Sequence, residues 1–364
     1  MQDTGAPPRG EIIRCLVVPS GAVAVEWAVD VHDVMGVETR VVGTVRVAQD
    51  VVGGSRQGRQ AGACFAVAKR GERFEKRHTL RVAGTGAKGK TFEPVGVVFS
   101  DLDGVIWRTH QAIEGSVEAV HRLQEAGWRV VFVTNNGSAT PEEQEAKLAS
   151  FGIDAVGDVV TSAMAVALLV EPGERALVCG GPGVIQALRG RGVDVIDIHD
   201  VMEDERASAV GNAPEVDAVV VAFHRSFGFD SLRIGLESLS KGARLLGTND
   251  DATYPTAEGA WPGGGSMLAA FAYGSGLTPR IAGKPHAPMA RLARELVDHV
   301  PGRVEVMVGD RPSTDGGFAK AMGIAYAQVW SGVLAPCAGP VDGISFDMTG
   351  TNFASIAEQL LGGR

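Results

Sequence analysis

Two aspartates two positions apart, Asp101 and Asp103 in the run Ser100-Asp-Leu-Asp-Gly104, are the residues of this chain best placed to do chemistry. They follow Val95-Gly-Val-Val-Phe99, a short apolar run of the kind that forms a buried strand, so both side chains can face one crevice at the strand end. Two carboxylates in one site repel unless a cation or a proton relieves them. Phosphoryl chemistry makes use of that repulsion. One carboxylate ligates Mg2+ and attacks phosphorus, and the other stays available for proton transfer. The competing reading is a pair of turn-forming acids before Gly104.

Three further groups sit in comparable places. Thr134, after the run Arg129–Val133, offers a hydroxyl and a backbone N–H to a phosphate oxygen, with Asn135 and Asn136 beside it; the alternative is an Asn-rich turn before a helix. Lys284, in Gly283-Lys-Pro285, is a cation able to neutralise both phosphate and the Asp101 carboxylate, or else an ordinary surface lysine. Asp310 and Asp315, in Gly309-Asp-Arg-Pro-Ser-Thr-Asp315, follow the run Val304–Val308. Asp101, the Asp103 carbonyl and Asp310 would form an oxygen half-shell for Mg2+, with Asp315 reaching it directly or through water. The alternative there is a polar loop with Asp315 as a helix cap.

The elements that must hold these residues alternate. A helical pattern covers Ser116–Ala126 and closes at Gly127, and Pro141 opens another helix with Glu142 and Glu143 in its first turn. Strands alternating with helices predict an α/β, doubly wound parallel sheet, and such sheets bind ligands at the carboxyl ends of their strands. Between Thr134 and Lys284 the chain has its own α/β rhythm. Strands are expected at Arg175–Val178, Val193–Ile198, Asp217–Ala222 and Arg244–Gly247, with helices at Gly183–Arg189 and Ser231–Ser240. An insertion this long is a domain. The expected division is an N-terminal extension over 1–94, the first half of the core over 95–174, an inserted cap over 175–279 and the second half of the core over 280–364.

The chain has 364 residues, 45% hydrophobic and 21% charged, with a net charge of −9, which argues against a general nucleic-acid binder. Residues 1–95 carry 14 Lys+Arg against 10 Asp+Glu, so the acidic excess lies downstream. This first segment is Gly-rich and unperiodic, apart from a short alternation at Val41–Val47. It is expected to be a poorly structured extension or a small β-rich appendage. The four cysteines are scattered without CxxC pairs, as in a reduced, cytoplasmic protein, and no apolar run is long enough for a membrane span.

Taken as a set, Asp101-Leu-Asp-Gly-Val105, Thr134-Asn-Asn136, Gly247-Thr-Asn249, Pro262-Gly-Gly-Gly265, Gly283-Lys-Pro285 and Gly309-Asp-Arg…Thr314-Asp315 resemble the haloacid dehalogenase superfamily. The likeness covers residues 95–335 and is narrowest to its subclass IIA, the nitrophenyl-phosphatase-like and phosphoglycolate-phosphatase-like enzymes with a type-II cap. The resemblance implies a Mg2+-dependent phosphatase acting on a small phosphoester through an aspartyl-phosphate intermediate. Asp101 would be the nucleophile and Asp103 the general acid, then base. Thr134, Asn135 and Lys284 would bind phosphate, and Asp101, Asp103, Asp310 and Asp315 would serve the metal. A homodimer through the cap fits the same picture, as does the absence of nucleic-acid or membrane partners. The alternatives are a phosphotransferase or phosphomutase on the same scaffold, or a non-catalytic phospholigand binder. Two residues depart from the pattern: His224 stands where relatives commonly carry Asp, and Asp250 where Pro is frequent. Gly180-Gly-Pro-Gly183 is expected to be a strand-to-helix turn. His224 is expected on the cap surface or lining the pocket and His286 in a turn after Lys284, with a part in catalysis the alternative for both, and Tyr254 and Trp261 are expected in core packing or, alternatively, against substrate.

Overall fold

The computed structural model describes residues 94–364, apart from 207, 257, 258, 299, 338, 363 and 364; within residues 1–93 it describes only the backbone of four strands. These strands, Ile12–Cys15, Val23–Val31, Thr39–Gln49 and Phe65–Ala68, pair antiparallel in chain order. The alternation at Val41–Val47 lies within the third of them. Apart from these strands, the expectation of a poorly structured extension falls on residues outside those described. The chain divides into two units, Met1–Lys90 and Thr91–Arg364, and every residue singled out for chemistry is in the second.

In that second unit a six-stranded parallel sheet runs in the order Met348–Gly350, Ala325–Val329, Val304–Gly309, Gly96–Ser100, Trp128–Thr134, Val159–Thr161. Its central strands are apolar on both sides because helices cover both faces. Successive side chains alternate accordingly. Val97, Phe99, Val131 and Val133 join a core with Ala163, Met289 and Phe318. Val98, Val130, Phe132, Val306 and Val308 join another with Val120, Leu123 and Phe353. The chain starts in the middle of the sheet, at Gly96–Ser100, builds outward to Val159–Thr161, and returns on the other side at Val304–Gly309. The crevice where strand order reverses therefore opens between Asp101 and Asp310.

Helix Ser116–Glu125 ends where Gly127 takes φ 84, the left-handed conformation that glycine enters without cost. Helix Pro141–Ser150 begins with a reciprocal cap: Glu143 N–H donates to the Thr140 hydroxyl, and Thr140 N–H donates to the Glu143 carboxylate.

The insertion forms a five-stranded parallel sheet in the order Asp194–Asp197, Arg175–Cys179, Ala218–Val221, Arg244–Gly247, Arg280–Ile281. Four of these strands lie where the sequence pattern puts them. The fifth, only two residues long, follows the expected cap boundary at 279. Helices Pro182–Gly190, Phe229–Ser240 and Gly264–Ser275 flank the sheet, and a hairpin of Thr253–Thr256 with Gly259–Pro262 projects from it. Gly180–Gly183 is the expected strand-to-helix turn. Among the described residues no helix is long and apolar enough to cross a membrane.

Candidate active site

The parallel register sets three strand ends side by side, and Asp101 N–H donates to the Val308 carbonyl at 2.9 Å, which ties the first to the third. Onto these ends comes Lys284, delivered by the last strand of the cap sheet. Its side chain is almost fully buried, with Nζ 2.8 Å from Asp101 Oδ1 and 2.8 Å from Asp315 Oδ1. Burial alone would strip the ammonium of its proton, but the two carboxylates outweigh it and hold Lys284 above its ordinary pKa.

Asn135 fixes the lysine. Its Oδ1 accepts from Lys284 N–H at 2.7 Å, and its Nδ2 donates to the Lys284 carbonyl at 3.0 Å and to Asp251 Oδ2 at 3.0 Å. The Asn135 side-chain amide is thus committed to the protein, while the residue itself lines the cavity. The carbonyl of Asn135 in turn accepts from Asn249 Nδ2 at 2.8 Å and from the Ser162 hydroxyl at 2.7 Å. The sequence assigned no role to Asp251 or Ser162, and Asn249 entered only as part of a motif.

The carboxylates of Asp101, Asp310 and Asp315 each place one oxygen within 4.8 Å of the others. Asp315 is held by the single π-type turn Pro312–Gly316, its Oδ2 accepting from Arg311 N–H at 3.0 Å. Asp310 Oδ2 accepts from Val333 N–H at 2.9 Å, while its Oδ1 is buried with no partner. A Cβ at Gly332 would stand 1.9 Å from Asp310 Oδ2, so the carboxylate needs glycine there. Burial, then Asp315 and Asp101, raise the pKa of Asp310; burial also raises that of Asp315 against the pull of Lys284. An orphaned carboxylate oxygen in an all-oxygen, anionic nest fits a hard divalent cation, and the nitrogen and sulfur ligands that softer metals prefer are missing from this cluster.

Asp103 is outside this cluster. Its Oδ1 accepts from Trp107 Nε1 at 2.9 Å, and Lys147 Nζ lies over the Trp107 ring, 3.8 Å from its centroid. Burial, then the neighbouring Asp101, push the Asp103 carboxyl above its ordinary range, as a proton donor requires. Thr134 is buried, and its Oγ1 accepts from Asn136 N–H at 3.0 Å, which leaves its own proton to donate. Asp101, Asp103, Thr134, Lys284 and Asp310 line one cavity of about 680 Å³, whose cap side includes Phe223, Arg225 and Tyr254. Of the two places the sequence left open for Tyr254, core packing or the substrate side, it takes a partly exposed position in the cavity wall. His286 caps helix Ala287–Leu296 and lies 3.1 Å from Asp250 Oδ2.

The chain is similar to known proteins. The family described as haloacid dehalogenase-like hydrolase matches residues 98–194, and a second description, HAD-hydrolase-like, matches 281–343. The D-glycerol 3-phosphate phosphatase of Mycobacterium tuberculosis is 35% identical over 238 residues, 64% of this chain; the chain spans 62% of that relative's length. The acid sugar phosphatase of Staphylococcus saprophyticus is 31% identical over 59% of this chain and 78% of its own. Crystal structures of a glycerol phosphate phosphatase from M. tuberculosis, in complex with calcium and with magnesium, superpose with TM-scores of 0.62 and 0.61. Each is 30% identical over 72% of this chain, and the match covers 76% and 77% of theirs. The chain belongs to the haloacid dehalogenase-like hydrolases.

Proposed function

We propose that this chain hydrolyses small phosphomonoesters through an aspartyl-phosphate on Asp101, in a site that takes Mg2+. The observation that carries the reading is the division of labour between two carboxylates two residues apart. Asp101 is bound to a buried cation and faces Asp310 and Asp315, whereas Asp103 is turned away onto Trp107 and biased toward its protonated form.

In the first half-reaction an oxygen of Asp101 forms a bond to phosphorus as the bond to the leaving oxygen breaks, and Asp103 gives that oxygen its proton. In the second, Asp103 takes a proton from water as the water oxygen attacks phosphorus, which frees phosphate and restores Asp101. Lys284 neutralises charge on Asp101 throughout, and the Thr134 hydroxyl donates to a phosphoryl oxygen. Asp101, Asp310 and Asp315 would hold the cation, with the Asp103 carbonyl as an expected further ligand; when bound it offsets negative charge on the phosphoryl group. The magnesium and calcium complexes of the mycobacterial structure support this choice. The names of the relatives support small polyol or sugar phosphates as the substrate class.

The test is phosphate release from a panel of phosphomonoesters by the wild-type chain and by Asp101→Asn. The variant should lose turnover at least a thousandfold while keeping its melting temperature. Retention within about tenfold, a barrier change of only ~1.4 kcal/mol, would remove Asp101 from the role of nucleophile.

A further inference from the structure

The cap sheet has a reversal of strand order of its own. Its chain begins at Arg175–Cys179, passes to Asp194–Asp197 on one side and returns to Ala218–Val221 on the other. A crevice therefore opens at the carboxyl ends of these three strands, the place where open α/β sheets bind ligands. A second cavity, of about 370 Å³, lies there. It is lined by Gly180 and Gly181 after the first strand, Asp197 and His199 after the second, and Phe223 and His224 after the third. The proposed phosphatase chemistry gives none of these residues a step.

The Gly-rich turn is not free to cradle a phosphate. Gly183 N–H donates to the Ser138 carbonyl at 2.8 Å and Val184 N–H to the Gly181 carbonyl at 3.2 Å, so the first amides of helix Pro182–Gly190 are spent. The chemistry of the crevice lies in side chains instead. Asp197 caps helix Ile198–Glu203: its Oδ1 accepts from His199 N–H at 3.0 Å and lies 2.8 Å from His199 Nδ1. A carboxylate can only accept, so Nδ1 carries the proton, and in the neutral ring Nε2 is then an acceptor. His199 Nε2 is hydrogen-bonded to the Ser226 hydroxyl, which therefore donates to it.

His224 Nδ1 lies 3.2 Å from the same hydroxyl oxygen, and its ring meets that of His199 edge-on with centroids 5.7 Å apart. With the hydroxyl proton given to His199, His224 faces that oxygen as a donor. Burial, then the neighbouring His199, lower the pKa of His224 to about 4, which keeps it neutral. A nucleophile, a base and a group that orients the base are thus brought together from two loops. Ser226 is exposed, held by two histidines that line the cavity. Its own N–H has no acceptor among the described residues, which leaves a donor for a developing oxyanion. Pro182, Ile185 and Phe223 also line the cavity, a wall that suits a short acyl chain.

We infer that Asp197, His199 and Ser226 form a second catalytic site, in the cap, that hydrolyses small carboxylic esters without a metal. The Ser226 oxygen bonds to the acyl carbon as its proton passes to His199 Nε2; the bond to the alcohol oxygen then breaks, and that oxygen takes the proton. Water next bonds to the acyl carbon as His199 takes one of its protons, and the carboxylic acid departs as that proton returns to Ser226. This activity goes beyond the phosphatase reading and does not depend on it, because the acids and the lysine of the core take no part.

The experiment uses the full chain. Hydrolysis of p-nitrophenyl acetate and p-nitrophenyl butyrate is followed in excess chelator, and phosphate release from p-nitrophenyl phosphate in Mg2+ is the control. Ser226→Ala and His199→Gln should each lose at least about tenfold of the ester turnover while keeping phosphate release within about twofold of wild type. Phenylmethylsulfonyl fluoride should modify the wild type at Ser226, located by mass spectrometry, and this decides the matter if the variants do not fold. Ester turnover that is equal in wild type and Ser226→Ala, or the lack of an adduct on Ser226, overturns the inference. So does a loss shared equally by esters and phosphate, which would make Ser226 part of the phosphatase site. Ester hydrolysis by a wild type that releases no phosphate would leave this site standing and overturn the phosphatase reading alone.

Discussion

Replacing Lys284 by methionine removes a charge and keeps most of the volume, so its effect isolates the electrostatics of the site. The ammonium stands 2.8 Å from a carboxylate oxygen on each side, and the three side chains are largely shut off from solvent. At an effective dielectric constant of about 20, each contact is worth roughly 6 kcal/mol of gross attraction, and two carboxylates ~4.8 Å apart without the cation repel by about 3 kcal/mol. Much of the attraction repays the desolvation of the three charges, so the net cost of removing the middle partner is about 3–5 kcal/mol. For a folded unit of this size that lowers the metal-free melting temperature by roughly 6–20 °C. Mg2+ should restore part of the loss, because a dication among the same carboxylates relieves the same repulsion. Turnover should still fall at least a thousandfold. The measurements are thermal unfolding with chelator and with Mg2+, and phosphate release in Mg2+. A Lys284→Met protein that melts within about 2 °C of wild type and works within about tenfold of it would refute the claim that the lysine holds the site together.

Asp103→Asn should slow turnover by about 10²–10⁴, with the smallest loss for p-nitrophenyl phosphate, whose leaving group scarcely needs a proton; equal losses for nitrophenyl and alkyl phosphates would show that Asp103 is not the acid. The acidic cluster should also make the benefit of Mg2+ depend on pH. Asp310 and Asp315, raised by burial and by their mutual repulsion with Asp101 in the metal-free fold, keep a proton that the unfolded chain gives up near pH 4. Metal-free stability contributed by this pair is therefore present at low pH and lost as pH rises through the pair's raised folded-state values, by up to about 1.4 kcal/mol per pH unit. Because Mg2+ displaces the proton, its stabilising effect should be small at pH 5 and large at pH 8, and Asp310→Asn should shrink that difference. A Mg2+-induced rise in melting temperature that is the same across this range would contradict the assignment.

Much of the site was legible because its parts are local. Asp101 and Asp103 follow one apolar strand, and Asp310 and Asp315 follow another, so hydrophobic patterning located both pairs at strand ends before the sheet order was known. The helix cap at Thr140–Glu143 is equally local. What the sequence did not disclose depends on distant residues. The grip of Asn135 on the backbone of Lys284 spans 149 positions and leaves no periodic trace. The turning of Asp103 onto Trp107 depends on side-chain direction, which spacing alone does not specify. Strands Val159–Thr161 and Arg280–Ile281 are three and two residues long, too short for any alternation to register. Tyr254 stayed open between core and substrate contact because an aromatic side chain in a β-hairpin has the same pattern whether it meets a core or a cavity.

The short strand Arg280–Ile281 has a practical consequence for anyone wishing to exchange caps between relatives. It is hydrogen-bonded into the cap sheet, with Arg280 opposite Leu246 and Ile281 opposite Gly247, and Lys284 follows three residues later. A graft that cuts at 279 would supply the new cap without its own final rung and leave the old rung to pair with foreign residues. The register of that one joint sets where the ammonium arrives, so the seam of a working chimera belongs after Pro285, with the donor's lysine carried along as part of the transplanted cap.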